Sequence, residues 1–347
     1  MRPSTSLADG ALDHGIAPQA PTPPPETLSL ETGIMNIRAT SLIYSSHNMC
    51  PHIHRDWIIE RALENPYNKR LLYIPMSEAA MGNGDEYERQ QFGYSKFEWY
   101  LDRFTQWGLE HDAFYYSSSM TRRDADVFLE MLHDWEVVIF GGGNPALGMR
   151  RFREIGARFY GDPNIVQNIT HERQKRGMLT AGFSAGADQL AELMAESAYD
   201  GEVKGFGLSA KIACTLHHEW GREQTLIDGA RRHPWCLWFG LPNDSGIATQ
   251  QGSTAHGNFF QIAEFVVDQG WDLPSDGFHI KTRQGMGVEH YYADGRHWTF
   301  HGGHMLLRID FPDGGVGAWI DNGHQILDYD TQEPTHYGSL GDILGTH

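Results

Sequence analysis

The chain has 347 residues, 40% of them hydrophobic, and its 45 acidic against 27 basic residues give a formal net charge of -18. This length is sufficient for one large core or two modest ones. The acidic balance argues against nucleic-acid binding, because no basic cluster is present to replace the counterions on phosphates.

The cysteine content and the absence of long apolar stretches favour a soluble, cytoplasmic protein. The three cysteines, Cys50, Cys214 and Cys236, are an odd number without short metal-ligand spacing, which is typical of free thiols in a reducing compartment. The N-terminus lacks the apolar segment that is typical of a secretory signal. No apolar stretch approaches the length of about 18 residues that a membrane-spanning helix needs.

The first part of the chain predicts a tail followed by alternating elements. Residues 1–30 are rich in proline and predict a disordered tail. A β-like stretch at 34–44 and a helix at about 56–65 are expected at the edge of the domain. From Arg70 onward the apolar pattern predicts strands at 71–74, 114–116 and 136–140, and helices at 97–107 and 121–132, the second with a capping start at Thr121 and Asp124.

Strands and helices continue to alternate in the second half. One helix is predicted to end at about 159, and further helices are predicted at 163–175 and 222–231. One strand is predicted to end at about 183, and further strands are predicted at 212–216 and 237–241. This alternation predicts a mostly parallel sheet with helices on both faces. Residues 278–283, 287–293, 296–301 and 304–310 predict an antiparallel β extension, with a hairpin turn at Asp294-Gly295. We therefore expect one α/β domain over 31–310 and a C-terminal extension over 311–347.

The most informative segment is Gly182-Phe183-Ser184-Ala185-Gly186, a G-x-S-x-G pattern between a predicted strand and a predicted helix. Such a turn exposes a serine hydroxyl on a sharp bend. The pattern alone would also fit a structural serine. A second glycine-rich turn, Gly141-Gly142-Gly143-Asn144, closes an upstream strand and favours the nucleophile. A phosphate-binding turn is disfavoured there, because neither G-x-G-x-x-G nor a following Lys-Ser/Thr is present.

A serine nucleophile requires a base and a group that orients the base. Candidate bases are His217 and His218, which follow a predicted strand, and the segment Gly240-Leu241-Pro242-Asn243-Asp244 follows the next one. A metal site is not expected, because neither H-E-x-x-H nor paired C-x-x-C occurs.

These segments, in this order, resemble the aspartyl dipeptidase (peptidase E) and cyanophycinase family of serine peptidases. The resemblance covers about residues 70–255, and its specific parts are the glycine turn after Phe140 and the Gly-x-Ser-Ala-Gly-Ala segment that ends at Ala187. It implies a flavodoxin-like sheet of the class I glutamine amidotransferase type, a Ser-His-acid triad, and no metal or organic cofactor.

Carried over to this sequence, the resemblance assigns Ser184 as the nucleophile. The N–H groups of Gly142 or Gly143 and of Ala185 match the oxyanion hole. His217 matches the base, with His218 as an alternate.

For the third member of the triad we favour Asp244 over Asn243, because a carboxylate can stabilise the charge on the imidazole and an amide can only orient it. Asp200, sixteen residues after Ser184, is the alternate.

Asn144 and Arg222 are the candidate substrate-binding residues. Arg222 belongs to an Arg-Glu-Gln segment that matches the dipeptidase branch, and its planar guanidinium suits a substrate carboxylate. A surface salt bridge with Glu223 or Asp228 is the alternative role.

The expected function is hydrolysis of dipeptides or short peptides, with Asp-X and isopeptide bonds as candidate substrates. Two alternatives stay open: an esterase or amidase that uses the same serine, and a catalytically silent amidotransferase-like domain that binds a ligand or a partner. The oligomeric state also stays open, with a homodimer as one candidate assembly.

Overall fold

The computed structural model describes residues 37–46, 52–78, 94–195, 204–268 and 286–347. The predicted tail, Cys50, Asp200 and the predicted strand at 278–283 lie outside these residues.

Fifteen strands and eight α-helices are present in the described part of the chain. The strands are β1 (Ser41–Tyr44), β2 (Arg70–Ile74), β3 (Glu110–Ala113), β4 (Val137–Phe140), β5 (Leu179–Phe183), β6 (Ala191–Leu193), β7 (Ser209–Thr215), β8 (Leu237–Gly240), β9 (Ser245–Ser253), β10 (Phe259–Val267), β11 (Val288–Tyr291), β12 (His297–Phe300), β13 (Met305–Asp310), β14 (Val316–Asp321) and β15 (Ile326–Asp328). The helices are α1 (Glu60–Glu64), α2 (Tyr94–Asp102), α3 (Arg122–Asp134), α4 (Pro145–Tyr160), α5 (Ile165–Lys175), α6 (Ala185–Leu190), α7 (Glu223–Arg232) and α8 (Leu340–Thr346). A π-helical turn (Ile53–Ile59) leads into α1, and a 3-10 turn (Thr105–Trp107) follows α2.

A ten-stranded mixed sheet, in the order β15-β14-β13-β10-β9-β1-β5-β4-β2-β3, forms the centre of the molecule. Neighbouring strands in the half β1-β5-β4-β2-β3 pair in parallel, whereas neighbours in the half β15-β14-β13-β10-β9-β1 pair antiparallel. The parallel half confirms the expected alternation of strands and helices. The antiparallel half is larger than expected, because β9, β10, β14 and β15 were not predicted.

Helices cover both faces of the parallel half, as expected. Phe128 of α3 and Phe152 of α4 pack in one apolar core, and Ile58 of the π-helical turn and Leu101 of α2 pack in the core on the other face. The capping box at the start of α3 is also confirmed, because the Thr121 side chain accepts from the Asp124 N–H and the Asp124 side chain accepts from the Thr121 N–H.

Strand β1 is an inner strand, and the expectation that it lies at the edge of the domain was wrong. It pairs in parallel with β5 and antiparallel with β9, and Leu42, Ile43 and Tyr44 are fully buried. A four-residue apolar strand does not reveal from its own pattern how many neighbours it pairs with. Pairing between β1 and β5 brings the end of β1 beside the predicted nucleophile turn.

The order of the parallel strands matches a flavodoxin-like sheet only in part. The four strands β3-β2-β4-β5 follow the flavodoxin-like order 2-1-3-4. The fifth position is held by β1, which precedes all of them in the chain. The strand predicted at 114–116 lies instead at β3 (Glu110–Ala113). Its polar side chains suit a strand at the edge of the sheet.

A second sheet, in the order β12-β11-β8-β7-β6, packs against the first. Phe300 of β12 stacks on Phe265 of β10, with ring centroids 3.8 Å apart. Strands β7 and β8 pair in parallel, and both histidine candidates and the Asn243-Asp244 segment follow their carboxyl ends. The second sheet therefore carries the predicted base and its partner, whereas the large sheet carries Ser184.

His290 of β11 connects the two sheets. Its Nδ1 lies 2.8 Å from the Trp238 carbonyl in β8, and its Nε2 lies 2.7 Å from the hydroxyl of Tyr329, just after β15. The carbonyl can only accept, so Nδ1 carries the proton and Nε2 accepts from Tyr329. The imidazole is therefore held neutral, and burial lowers the pKa of His290 to about 4.

Acid is therefore expected to weaken the link between the sheets. The unfolded chain binds a proton at His290 near its ordinary pKa of 6.5, whereas the folded chain resists protonation until the pH is near 4. The free energy of unfolding should fall as the pH drops from 6.5 to 4, by up to about 3 kcal/mol from this group. Urea unfolding across this range measures the change. In His290→Asn the free energy of unfolding should depend less steeply on pH than in the control His256→Gln, a substitution at an exposed position. Equal slopes would contradict the assignment.

Candidate active site

Ser184 occupies a sharp turn between β5 and α6, as the G-x-S-x-G pattern predicts. Its backbone has φ 49° and ψ -120°, a conformation that a residue with a side chain rarely adopts. Strained backbone of this kind persists only where the surrounding structure holds it in place, and it is frequent at active sites.

Steric crowding explains both glycines of the pattern. A Cβ on Gly182 would overlap the Gly186 carbonyl, and a Cβ on Gly186 would overlap the carbonyl oxygen of Phe140 in β4. A Cβ on Gly142 would lie 3.4 Å from the Cβ of Ser184, so the upstream glycine turn lies directly beside the serine. Small residues are therefore required wherever the two turns meet.

His217 is the histidine that the structure brings to Ser184. The serine Oγ lies 3.5 Å from the His217 Nε2, and on the other side of the ring Nδ1 lies 2.6 Å from the Oδ1 of Asn243. Since Oδ1 only accepts, Nδ1 carries the proton, and the lone pair of Nε2 is directed at the serine. This tautomer is the one that a general base needs.

The end of β1 binds both of these residues. The Ser184 N–H donates to the Tyr44 carbonyl at 3.1 Å, and the His217 N–H donates to the Ser45 hydroxyl at 2.8 Å. Ser45 is fully buried, and its own N–H donates to the Ser245 carbonyl. These contacts were not predicted, and the only sequence signal for them is a serine directly after a short apolar strand.

His218, the alternate base, is a packing residue in this structure. Its side chain is buried, its ring packs against Gly240, and its Nδ1 lies 3.4 Å from the Thr215 hydroxyl. Burial, and secondly the charge of Arg222, lowers the pKa of His218 to about 4.

The partner of His217 differs from the one that the sequence analysis favoured. Asn243, not Asp244, has the side-chain oxygen at 2.6 Å from the imidazole. Asp244 follows in a left-handed conformation with φ 62°, and its carbonyl accepts from the Asp268 N–H at 2.8 Å. Two adjacent polar residues in a turn cannot be told apart by spacing alone, because their directions depend on backbone dihedral angles.

Of the residues expected to donate to the oxyanion, Gly142 lies beside Ser184 and Ala185 follows it directly in the chain. Within the described residues, the N–H groups of Gly142, Gly143 and Ala185 donate to no other group of the chain. The glycine turn is fixed on both sides, since the Gly141 N–H donates to the Ile74 carbonyl and the Asn144 N–H donates to the Ser77 carbonyl. Its backbone is therefore held in place without using these donors.

Gln189 connects the glycine turn to α6 and was not predicted. Its side-chain amide donates to the Ser77 hydroxyl at 2.8 Å and to the Pro145 carbonyl at 2.9 Å, and the residue is 1% exposed. It fixes the helix that follows Ser184 relative to the turn that carries Gly142.

The two candidate substrate residues have different surroundings. The Asn144 side chain accepts from the Leu147 N–H at 2.9 Å and so caps α4. Arg222 is exposed and donates to the His217 carbonyl at 3.2 Å. The carboxylates of Glu223 and Asp228 accept instead from the Gly221 N–H and the Gln224 amide.

No three His, Cys, Asp or Glu side chains in the described part of the chain are grouped so that they could hold a metal ion. No described helix combines the length and the apolar character needed to cross a membrane.

Comparison with known proteins found similarity only among solved structures. No protein-family model and no curated protein matches the chain. A peptidase from an acI-B1 Actinobacterium has a TM-score of 0.48 and 17% identity, over 75% of this chain and 94% of its own. A "Putative Peptidase E Protein" from Listeria monocytogenes EGD-e has a TM-score of 0.41 and 14% identity, over 60% of this chain and 93% of its own. Solved peptidase structures are thus similar to this chain at low sequence identity.

The crowding at the serine turn makes a clear prediction for Gly186→Ala. A methyl group there must displace the Phe140 backbone, so the free energy of unfolding should fall by about 2 kcal/mol or more, as measured by urea denaturation. The matched control is Gly345→Ala, where a Cβ meets open space. If both variants were equally stable, the tight contact between β4 and α6 would be refuted.

Proposed function

We propose that the protein is a serine peptidase that hydrolyses dipeptides or short peptides with Ser184 as its nucleophile. The observation that carries this proposal is the 3.5 Å separation of the Ser184 Oγ from the His217 Nε2, on a strained strand-to-helix turn. Catalytic hydrogen bonds are often long in the absence of substrate and shorten when it binds. The sequence resemblance to peptidase E and cyanophycinase points to the same chemistry.

The proposed reaction begins with proton transfer from the Ser184 hydroxyl to the His217 Nε2. The serine oxygen attacks the substrate carbonyl, and the resulting oxyanion accepts hydrogen bonds from the N–H groups of Gly142 or Gly143 and of Ala185. The imidazolium of His217 then protonates the leaving amine. Water releases the acyl group in a second attack, with His217 again as the base.

Arg222 is the proposed residue for recognition of a substrate carboxylate. Its guanidinium is exposed and next to the backbone of the base, and neither neighbouring carboxylate is paired with it. Substrates with a free carboxylate near the scissile bond, such as Asp-X dipeptides or β-aspartyl isopeptides, fit this position. Asn144 caps α4 and thereby fixes the end of the glycine turn, in which Gly142 lies beside the serine.

The test is hydrolysis of a panel of Asp-X, isopeptide and neutral dipeptides, with release of amino acids as the readout. Ser184→Ala and His217→Gln should each lower kcat/KM by more than about 1,000-fold, since each removes a group needed in the transition state. Ser253→Ala and His256→Gln, two exposed positions, are the matched controls and should keep full activity.

Retained turnover in Ser184→Ala would refute the proposal. Ester and amide substrates are tested in parallel, because a preference for them over peptides would identify an esterase or amidase instead. Absence of turnover for every substrate would favour the silent binding domain, whereas fluorophosphonate labelling that is lost in Ser184→Ala would favour the enzyme.

A further inference from the structure

The imidazole of the proposed base is oriented by an amide. Asn243 is 6% exposed, and its Oδ1 lies 2.6 Å from the His217 Nδ1. We infer that Asn243 is the positioning residue of the catalytic relay, which therefore has an uncharged third member. This inference rests on the proposed function, which it deepens by assigning how the base is controlled.

The position of Asn243 is fixed by hydrogen bonds on both sides of it in the chain. Before it, the Leu241 N–H donates to the Thr215 carbonyl, and the Leu241 carbonyl accepts from the His218 N–H. After it, the Ser245 hydroxyl donates a hydrogen bond to the Pro242 carbonyl at 2.6 Å. The backbone on both sides of Asn243 is therefore held at the carboxyl end of β7, the strand that His217 follows. The side-chain amide of Asn243, fixed in this way, restricts rotation of the His217 imidazole.

An amide and a carboxylate in this position have different effects. Both accept the Nδ1–H hydrogen bond, fix the tautomer and leave Nε2 free for the serine proton. Only a carboxylate also stabilises the positive imidazolium, and an adjacent opposite charge raises a histidine pKa by about 1–3 units. An uncharged partner therefore keeps the base unprotonated to lower pH, at the cost of weaker stabilisation of the imidazolium.

The proton balance of the step is unchanged by this assignment. The Ser184 O–H bond breaks as its proton passes to Nε2 and the bond from Oγ to the substrate carbon forms. The Nδ1 proton stays on His217 throughout, and Asn243 accepts a hydrogen bond without receiving a proton.

Several other charged and titratable groups lie near His217 in the structure or next to it in the chain. Arg222 donates to its carbonyl, His218 and Glu219 follow it in the chain, and Asp244 follows Asn243. Asp268, bound through its N–H to the Asp244 carbonyl, has a carboxylate oxygen 3.0 Å from the His52 Nδ1. Replacing Asn243 alone leaves all of these groups in place.

The decisive experiment is an NMR titration of His217, which requires no substrate. With labelled histidine, the His217 signal is assigned by its loss in His217→Gln, and its pKa is measured in the native protein, Asn243→Asp and Asp244→Asn. We expect Asn243→Asp to raise the pKa of His217 by at least about one unit, with a smaller change in Asp244→Asn. An unchanged pKa in Asn243→Asp, or a larger shift in Asp244→Asn, would overturn the inference.

A second variant protects the test against misfolding of Asn243→Asp. In Asn243→Ala the hydrogen-bonded Nδ1–H resonance of His217 should be lost while the protein remains folded by circular dichroism. Retention of that resonance would show that another group holds the imidazole and would overturn the inference.

Kinetics separate this inference from the proposed function. In the native protein and Asn243→Asp, the pH dependence of kcat/KM should show an acid limb that moves upward with the NMR pKa, whereas Asn243→Ala should lose kcat by about 100-fold or more with little change in KM. If the NMR titration behaves as expected but Ser184→Ala retains turnover, the pairing of His217 stands and the peptidase proposal fails. If Ser184→Ala is inactive and the titration is unaffected by residue 243, only this inference fails.

Discussion

The geometry of the site depends on two hydrogen bonds at the carboxyl end of β1. The Tyr44 carbonyl accepts from the N–H of Ser184, and the Ser45 hydroxyl accepts from the N–H of His217. Both contacts involve backbone N–H groups of residues with positive φ, at 49° and 50°. Because such backbone is strained, it requires external partners, and one strand supplies them to both residues. Ser184 on the large sheet and His217, which follows a strand of the second sheet, are thereby held at a fixed separation.

The two sheets contribute different parts of the chemistry, so their packing is part of the site. The large sheet provides Ser184 and the glycine turn, which Gln189 connects through Ser77 and Pro145. The second sheet provides His217 and the segment that carries Asn243. The stacked pair Phe265–Phe300 and the neutral imidazole of His290 join the two sheets.

Much of the fold could be predicted because its signals are local. The apolar periodicity from Phe97 to Trp107 and the apolar runs at β2, β4 and β5 predicted the alternation, and the Thr121 capping box predicted the start of one helix. The inner position of β1 and the strands β9, β10, β14 and β15 were missed. The position of β1 depends on its pairing with β5 and β9, which lie far along the chain, and a four-residue strand carries no record of those partners.

The sequence by itself determined which segments carry the chemistry. Steric crowding within a few residues requires a glycine on each side of the Ser184 turn. The G-x-S-x-G turn and the glycine turn after Phe140 were therefore recognisable from the sequence. Only the tertiary structure decided between neighbouring polar residues: His217 rather than His218 at Ser184, and Asn243 rather than Asp244 at the imidazole. These choices link residues 33 and 26 positions apart in the chain. They depend on the backbone turns at the ends of β7 and β8, because a change of φ at one residue redirects the side chain that faces the site.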